Sequence, residues 1–240
     1  MCGIVAFKGD KEITSKVIFD GLELLEYRGY DSCGIGVIDD NEIKTFKWKG
    51  RVKKTKKKFN DSNIKSSIAI GHTRWATHGE PNDTNSHPIK SFNGEFAIVH
   101  NGIIENYKEL KKILLKKGYK FFTETDTEVL VNFIELCVSN SKNLDKGISY
   151  ALSKLQGAFG IVLIKKSNPE IMYAARKGSP LAFGKKGSNF FIASDATPII
   201  KYTKKIIYLD NGQLLKIKKN EFQVLDFKLN QVPKKFKEVD

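Results

Sequence analysis

Cysteine is scarce in this sequence and is not arranged in pairs. The 240 residues contain three cysteines, Cys2, Cys33 and Cys137, an odd number without any CxxC spacing. A disulfide framework and a zinc ribbon are therefore not predicted. We expect at least one of the three thiols to be free.

Long hydrophobic segments are also missing. No apolar run approaches the roughly 18 residues that a membrane-spanning helix needs, and the apolar start lacks the basic n-region of a signal peptide. With 40% hydrophobic and 28% charged residues, the composition is that of a globular domain rather than of a disordered chain. We therefore predict one large domain that lies in the cytoplasm and has no membrane partner.

Basic residues are in excess, with 41 lysines and arginines against 27 acidic residues. Six of the eight residues from Arg51 to Lys58 are basic. Such a stretch either contacts a phosphate backbone or forms a solvated surface. Because the sequence has no zinc-finger spacing, no RNP-type strand and no clear helix-turn-helix, we predict a solvated surface and no specific nucleic-acid partner.

The spacing of apolar residues predicts four helices. The first spans about Ile13 to Leu25, where apolar residues recur every three or four positions, and Gly29 is expected as its left-handed C-cap. The others are predicted from about Asn106 to Lys117, from Thr125 to about Val138 and from about Leu144 to Leu155.

Strand-like runs flank these helices, and together they favour helices layered on antiparallel sheet. From Phe159 onward, short runs separated by turns predict an antiparallel meander. The last dozen residues, Leu229 to Asp240, have no sustained period and are expected to leave the domain as a tail. The earlier strand-like runs are Gly3–Lys8, Gly34–Ile38, Glu42–Trp48, Ser67–Thr73 and Glu95–Asn101.

Cys2 is the most informative of the three cysteines. If Met1 is removed, the Cys2 thiol and a free α-amine share one residue, and the amine can accept the thiol proton near neutral pH. Position alone is weak support, because many proteins carry a small residue after the initiator methionine. We interpret Cys137, on an apolar helix face, and Cys33, at a turn entering a strand, as packing residues.

The segment from Gly71 to Pro81 is a strand end that continues into a loop rich in reactive side chains. A metal site is one interpretation, but no HExxH or short paired histidine spacing supports it, and we predict none. Arg74 has the planar guanidinium that clamps a carboxylate through two hydrogen bonds, with a surface salt bridge as the alternative. The four histidines that such a metal site would use are His72, His78, His87 and His100.

Two further segments carry polar groups at element ends. Asn101 and Gly102 follow an apolar strand, where an amide and a backbone N–H could stabilise an oxyanion or simply form a turn. The segment from Glu124 to Glu128 contains Asp126, and a helix N-cap would explain either Thr125 or Asp126 fully.

Together these segments resemble one family, the class II, N-terminal-nucleophile glutamine amidotransferases. Five motifs occur in the family's order along nearly the whole chain. Within the family they look like the glutaminase domain of the enzymes that aminate fructose-6-phosphate. The motifs are Met1-Cys2-Gly3-Ile4-Val5, Tyr27-Arg28-Gly29-Tyr30-Asp31-Ser32, His72-Thr73-Arg74-Trp75-Ala76-Thr77-His78-Gly79-Glu80-Pro81, His100-Asn101-Gly102-Ile103-Ile104-Glu105-Asn106 and Glu124-Thr125-Asp126-Thr127-Glu128.

The resemblance implies an α+β fold, the four-layer αββα sandwich of N-terminal-nucleophile hydrolases with two antiparallel sheets between helical layers. It also implies glutamine hydrolysis. After loss of Met1, the Cys2 thiol attacks the side-chain carboxamide of glutamine, and Asn101 with the Gly102 N–H stabilises the oxyanion.

The family also implies the groups that select the substrate. Arg74 is expected to bind the α-carboxylate of L-glutamine and Asp126 its α-ammonium group, with Thr77 and His78 lining the pocket. Trp75 is expected to belong to a lid over the bound glutamine. We predict no cofactor and no metal.

The expected partner is a sugar-phosphate isomerase domain, which follows the glutaminase domain in this family. We assign residues 1–228 to the glutaminase domain and residues 229–240 to a tail or the start of a linker. The chain is therefore expected to be part of a longer enzyme that is a homo-oligomer only at full length. The alternatives are a stand-alone glutaminase, an amidotransferase subunit that feeds a different acceptor, and a non-enzymatic basic binding module.

Overall fold

Two antiparallel β-sheets form the centre of the molecule. The computed structural model describes residues 2–62, 64–75 and 79–239. In chain order the strands are β1 (Gly3–Lys8), β2 (Ser32–Asp39), β3 (Glu42–Lys49), β4 (Ile68–Arg74), β5 (Ile89–Lys90), β6 (Phe96–Ile104), β7 (Gly157–Lys165), β8 (Ile171–Lys177), β9 (Ala182–Lys186), β10 (Asn189–Ala193), β11 (Lys205–Tyr208), β12 (Gln213–Lys218), β13 (Glu221–Asp226) and β14 (Lys237–Glu238).

The strands divide into a larger and a smaller sheet. The spatial order of the first sheet is β14-β11-β9-β10-β1-β4-β2-β3, and that of the second is β13-β12-β8-β7-β6-β5. The nucleophile candidate therefore precedes β1, a central strand that is paired on both sides by β10 and β4.

Helices cover the outer face of each sheet. On the first sheet lie α1 (Thr14–Leu25), α2 (Val52–Asp61) and the short α6 (Thr197–Ile200). On the second sheet lie α3 (Tyr107–Lys116), α4 (Asp126–Ser141) and α5 (Leu144–Lys154). With a further apolar core between the sheets, the four layers are helix, sheet, sheet and helix. This confirms the predicted αββα sandwich.

The side chains of a strand point alternately to its two faces, and this alternation along β4 and β6 decides which side chains meet between the sheets. In β4, Ile68 and Ile70 belong to the core between the sheets, whereas Ala69 belongs to the core under α1 and α2. In β6, Ala97 and Val99 face the same inter-sheet core. Because successive side chains of a strand point to opposite faces, the next inward positions are His72 on β4 and Asn101 on β6.

The four predicted helices are confirmed, with ends that differ by at most a few residues. The prediction for Gly29 was wrong, because its φ of −173° is extended rather than left-handed. A short 3-10 turn, Glu26–Arg28, follows α1 instead. A Cβ on Gly29 would lie 2.7 Å from the Arg74 carbonyl carbon, so glycine is needed here for a close approach of two backbones.

Two helices were not predicted, the short α6 and α2, whose segment was interpreted only by its charge. Residues of the lysine-rich stretch form α2, in which Val52, Thr55 and Phe59 are buried at helical spacing. Phe59 packs against Phe19 of α1 and Phe46 of β3. The basic side chains therefore occupy the outer face of an amphipathic helix.

The predicted meander after Phe159 is only partly correct. Strands β7, β8, β12 and β13 are neighbours in the second sheet, but β9, β10 and β11 join the first sheet. In that sheet β10 pairs with β1, with Val5 opposite Ala193. Local periodicity identifies strands, whereas the choice of sheet depends on contacts between distant segments.

The last residues pack against the domain rather than leaving it as a free tail. Strand β14 pairs with β11, and the Phe236 ring contacts the rings of Phe183 and Phe222. The division of the chain after residue 228 stays a prediction. None of the helices in the described part of the chain is both long and apolar enough to cross a membrane.

Candidate active site

Cys2 lies at the entrance of a rigidly paired strand. The backbone N–H of Gly3 donates to Thr73 Oγ1 at 3.1 Å, and that of Ile4 donates to Ser194 Oγ at 3.0 Å. Thr73 belongs to β4 and Ser194 directly follows β10, the two strands that flank β1. The position of Cys2 is therefore fixed from both sides.

The Cys2 thiol is partly buried and hydrogen-bonded. The backbone N–H of Trp75 donates to Cys2 Sγ at 3.1 Å. Burial raises the thiol pKa above its ordinary value, and the Trp75 hydrogen bond opposes this effect only in part. The thiol therefore needs a base before it can act as a nucleophile.

Asn101 connects this nucleophile candidate to the other sheet. Its Nδ2 donates to the Cys2 carbonyl oxygen at 2.9 Å, and its Oδ1 lies 2.9 Å from His72 Nε2. Gly102 beside it has a φ of +120°, and a Cβ there would lie 2.0 Å from the Ala158 carbonyl oxygen. Only glycine fits at position 102, so the backbone requires this residue whether or not its N–H forms part of an oxyanion site.

Arg74 is the last residue of β4 and is almost fully buried. Its guanidinium donates to the carbonyl oxygens of Gly79, at 3.3 Å, and Glu80, at 3.4 Å. Burial lowers the Arg74 pKa, whereas the nearby Cys2 and Asp126 oppose that shift. The side chain therefore remains a cation held in place at the site.

Asp126 is the first residue of α4, and the preceding Thr125 is the N-cap whose side chain accepts from the Glu128 N–H at 3.2 Å. Asp126 Oδ2 accepts from the backbone N–H of Ile104 at 2.8 Å. The predicted N-cap is thus correct for Thr125. Asp126 is left as a buried carboxylate with a further oxygen available beyond that hydrogen bond.

A cavity of about 210 Å³ brings these residues together. It has room for a small polar molecule and places a thiol, a cation and a carboxylate on its wall. Five other lining residues have no predicted role: Arg28, Ile103, Thr127, Ser179 and Pro180. Arg28 is within a recognised motif, but no local pattern could have identified Ser179 and Pro180. Predicted residues on the wall are Cys2, Arg74, Trp75, Asn101, Gly102 and Asp126.

Trp75 lies at the mouth of the cavity, where 47% of its surface is exposed. Its ring meets the Tyr30 ring edge-on at a centroid distance of 5.5 Å. Thr77 and His78, predicted to line the pocket, lie outside the described residues. Their placement in the pocket stays a prediction.

Three histidines lie side by side on the wall of the cavity. The ring centroids of His72 and His87 are 4.3 Å apart, and those of His87 and His100 are 6.4 Å apart. Burial lowers the pKa of His72 to about 3 and that of His87 well below its ordinary value, so both rings are neutral. Among the described residues, no group of three or more potential ligands could hold a metal ion.

Most of the chain matches a known protein family. A family model described as a glutamine amidotransferase domain matches residues 58–237. The chain belongs to the glutamine amidotransferase family. This confirms the family that the five motifs indicated.

Curated relatives of this amidotransferase domain are named glutamine–fructose-6-phosphate aminotransferase (isomerizing). The protein of Caldanaerobacter subterraneus subsp. tengcongensis is 44% identical over 226 residues, covering 94% of this chain and 37% of the relative. That of Bacteroides thetaiotaomicron is 43% identical over 243 residues, covering 100% of this chain and 39% of the relative. The chain thus spans less than half the length of these relatives.

Solved structures also match the amidotransferase domain. The glutamine phosphoribosylpyrophosphate amidotransferase of B. subtilis superimposes with a TM-score of 0.80 at 28% identity, covering 96% of this chain and 50% of that one. The fold therefore agrees with the N-terminal-nucleophile type that the resemblance implied.

Proposed function

We propose that this amidotransferase domain hydrolyses L-glutamine to glutamate and ammonia through a thioester on Cys2. The observation that carries the proposal is the convergence of the Cys2 thiol, the Asn101 amide, the Arg74 guanidinium and the Asp126 carboxylate on one cavity. Glutamine presents a carboxamide, an α-carboxylate and an α-ammonium group. The cavity offers a group of matching chemistry for each of them.

The nucleophile needs a base because burial keeps the Cys2 thiol protonated. Removal of Met1 would supply the α-amine of Cys2, which is adjacent and has a pKa of about 8 in model peptides. The amine accepts the thiol proton as Sγ bonds to the carboxamide carbon. It returns that proton to the leaving nitrogen, so that ammonia departs and a thioester remains.

Water completes the reaction. The α-amine accepts a proton from the attacking water molecule and passes it to sulfur as the C–S bond breaks, which gives glutamate and the free thiol. In both tetrahedral intermediates the negative charge develops on the former carbonyl oxygen. We assign the Asn101 amide and the Gly102 N–H to that oxygen.

Arg74 and Asp126 are assigned to the two charges of the free amino acid. The Arg74 cation suits the α-carboxylate, and the Asp126 oxygen suits the α-ammonium group. Because both charged groups of the substrate are far from the reacting carboxamide, these contacts select free glutamine without taking part in bond cleavage. Trp75 at the mouth is assigned to the lid.

The proposed acceptor of the ammonia is fructose-6-phosphate, which becomes glucosamine-6-phosphate on a sugar-phosphate isomerase domain. The support is that relatives named for this reaction are 43–44% identical, whereas the phosphoribosylpyrophosphate amidotransferase is 28% identical. In this proposal residues 1–228 form the glutaminase domain of a longer enzyme. That enzyme lies in the cytoplasm and forms a homo-oligomer. A stand-alone glutaminase or a subunit for another acceptor is the alternative.

The test is to assay glutamate and glucosamine-6-phosphate separately with the purified 240-residue chain, with and without fructose-6-phosphate. We expect glutamate release, no amino sugar, and no stimulation by the sugar phosphate. A form that retains Met1 should be inactive, because an acylated nitrogen is no base. Glutamate release by Cys2→Ala, or full activity with Met1 retained, would contradict the mechanism.

A further inference from the structure

The hydrogen bond between His72 and Asn101 joins the two sheets directly behind the nucleophile. His72 lies on β4 of the first sheet and Asn101 on β6 of the second, and their side chains meet at 2.9 Å. Both side chains are almost completely withdrawn from solvent. Buried polar side chains at a sheet interface are costly unless they are paired, so this contact fixes both groups.

The orientation of the Asn101 amide follows from its second partner. The Cys2 carbonyl oxygen has no proton, so the Asn101 atom at 2.9 Å from it must be the NH₂ group. Oδ1 is then the atom that faces His72. A carbonyl oxygen only accepts, so His72 Nε2 must carry the proton and donate it.

Burial holds His72 in that single state. The pKa of His72 is lowered to about 3, chiefly by burial, so the ring is neutral and carries one proton. With Nε2 protonated, Nδ1 is bare; it makes no hydrogen bond in the described part of the chain, although the nearby His100 backbone raises the His72 pKa slightly against the effect of burial. The His87 ring packs against the His72 ring, with ring centroids 4.3 Å apart.

We propose that His72 is a positioning residue for the oxyanion hole, because its Nε2–H holds Asn101 Oδ1 and thereby presents the Asn101 NH₂ group to the reacting carbonyl. The inference rests on the proposed role of Asn101. One N–H of that group contacts the Cys2 carbonyl, and the second is available for the oxyanion. A donor on Oδ1 also polarises the amide and makes its N–H groups better donors.

Loss of the His72 donor would act on the transition state more than on the bound substrate. Without it, Oδ1 would be buried and unpaired, and rotation of the amide could bring this oxygen toward the oxyanion. Two oxygens would then repel at the point where negative charge develops. Glutamine itself carries no such charge before attack, so its binding should change little.

The experiment compares His72→Phe, which removes the donor, with His72→Gln, which retains an N–H donor. Because removing an oxyanion donor costs about 100-fold or more, we expect His72→Phe to lower kcat for glutamine hydrolysis by roughly tenfold or more. KM should stay within about twofold, and His72→Gln should recover most of the loss. Ser66→Ala, which removes another buried hydrogen-bonding group just before β4, is the control for general destabilisation.

A double-mutant cycle separates positioning from a merely structural role. In an Asn101→Ala background, His72→Phe should lower kcat no further, because its effect acts through the missing amide. Equal losses in both backgrounds would overturn the inference. If Asn101→Ala leaves kcat unchanged while Cys2→Ala abolishes turnover, the assigned role of Asn101 fails and the thioester mechanism stands.

A measurement on the unmodified protein keeps the test independent of how the variants fold. Imidazole nitrogen NMR should show His72 protonated at Nε2 and bare at Nδ1, unchanged between about pH 5 and pH 8 since the ring remains neutral. A proton on Nδ1 with Nε2 bare, or a ring that titrates in this range, would contradict the hydrogen bond on which the inference depends.

Discussion

The backbone of Trp75 contacts the Cys2 thiol with both of its polar groups. The Trp75 N–H donates to Cys2 Sγ at 3.1 Å, and Sγ lies 3.4 Å from the Trp75 carbonyl oxygen, which can accept the thiol proton. The nucleophile candidate is therefore held by the residue at which the chain leaves β4 for the proposed lid. Any movement of that lid would change the hydrogen bonds of the thiol.

We predict that a glutamine-analogue electrophile modifies Cys2 alone. Cys33 and Cys137 are buried in the two helix-covered cores, and burial raises the pKa of each thiol to about 11. Cys33 is also hydrogen-bonded to Thr55 Oγ1 at 2.7 Å. Neither thiol lines the cavity, and a protonated, buried thiol is a poor nucleophile.

Intact mass spectrometry followed by peptide mapping measures this selectivity and also reports whether Met1 is present. Cys33→Ala and Cys137→Ala should still gain a single label, whereas Cys2→Ala should gain none. Labelling that falls mainly on Cys33 or Cys137 would remove Cys2 from the role of nucleophile.

We also predict different kinetic signatures for the charged groups and for the amide. Arg74→Ala and Asp126→Ala should chiefly raise KM for glutamine, because they contact charges already present in the free substrate. Asn101→Ala should chiefly lower kcat, by about 100-fold or more, because its partner charge develops only in the transition state. Steady-state kinetics of glutamate release separates the two classes.

Asp145→Ala is the control for removal of an acid from the first turn of a helix, although Asp145 is more exposed than Asp126. Asp145 accepts from Lys216 Nζ at 2.5 Å and belongs to α5, away from the cavity. It should leave KM unchanged. An unchanged kcat in Asn101→Ala would rule out the assigned oxyanion contact, and an unchanged KM in Arg74→Ala would rule out the carboxylate contact.

The sequence predicted which residues meet at the cavity better than it predicted the contacts that hold them there. Cys2, Arg74, Asn101 and Asp126 stand in short ordered motifs, so the order of residues along the chain is enough to identify them. The motif containing Gly29 was recognised, yet the reason for the glycine was not. Its close approach to Arg74 depends on how two distant segments pack.

The unrecognised parts share one physical cause. Ser179 and Pro180 reach the cavity because the chain crosses there between β8 of one sheet and β9 of the other, a crossing that periodicity does not reveal. Similarly, the sequence around His72 suggests only a possible metal ligand, because its partner Asn101 is brought near only when the sheets face each other. Local patterns specify elements, whereas these contacts are set by tertiary packing.

Asn85 provides a third prediction, because it ties the segment after the proposed lid to the start of α4. Its Nδ2 donates to the Glu80 carbonyl at 3.1 Å and to Glu124 Oε2 at 3.1 Å, while its Oδ1 accepts from the Glu124 N–H at 3.0 Å. The Glu80 carbonyl also accepts from Arg74. Asn85 therefore links the surroundings of Arg74 to those of Asp126.

Asn85→Ala should raise KM for glutamine several-fold and change kcat less. The loss removes three hydrogen bonds to Glu80 and Glu124, each worth about 0.5–1.5 kcal/mol, and loosens the spacing between the two charged contacts. Asn132→Ala is the matched control, because Asn132 is also fully buried and holds the Phe92 N–H at 2.7 Å, away from the cavity. Equal effects of the two variants on KM would show that Asn85 has no specific link to the site.

The last prediction concerns the basic face of α2, which we expect to bind no nucleic acid at physiological salt. Its charges are partly occupied within the domain: Lys56 contacts Glu23, Arg51 contacts Glu26, and the Lys58 ammonium lies 3.9 Å from the centre of the Trp48 ring. Exposed pairs of this kind are worth roughly 1 kcal/mol or less, so the helix surface is a solvated face that needs no partner.

Binding of duplex DNA would be measured by fluorescence anisotropy over a range of salt concentrations, with the lysines of α2 changed to Gln as the comparison. If the face bound phosphates, affinity would fall steeply with salt, with a slope set by the number of contacts. Submicromolar binding at physiological salt that disappears in the Gln variant would establish a nucleic-acid site on α2 instead.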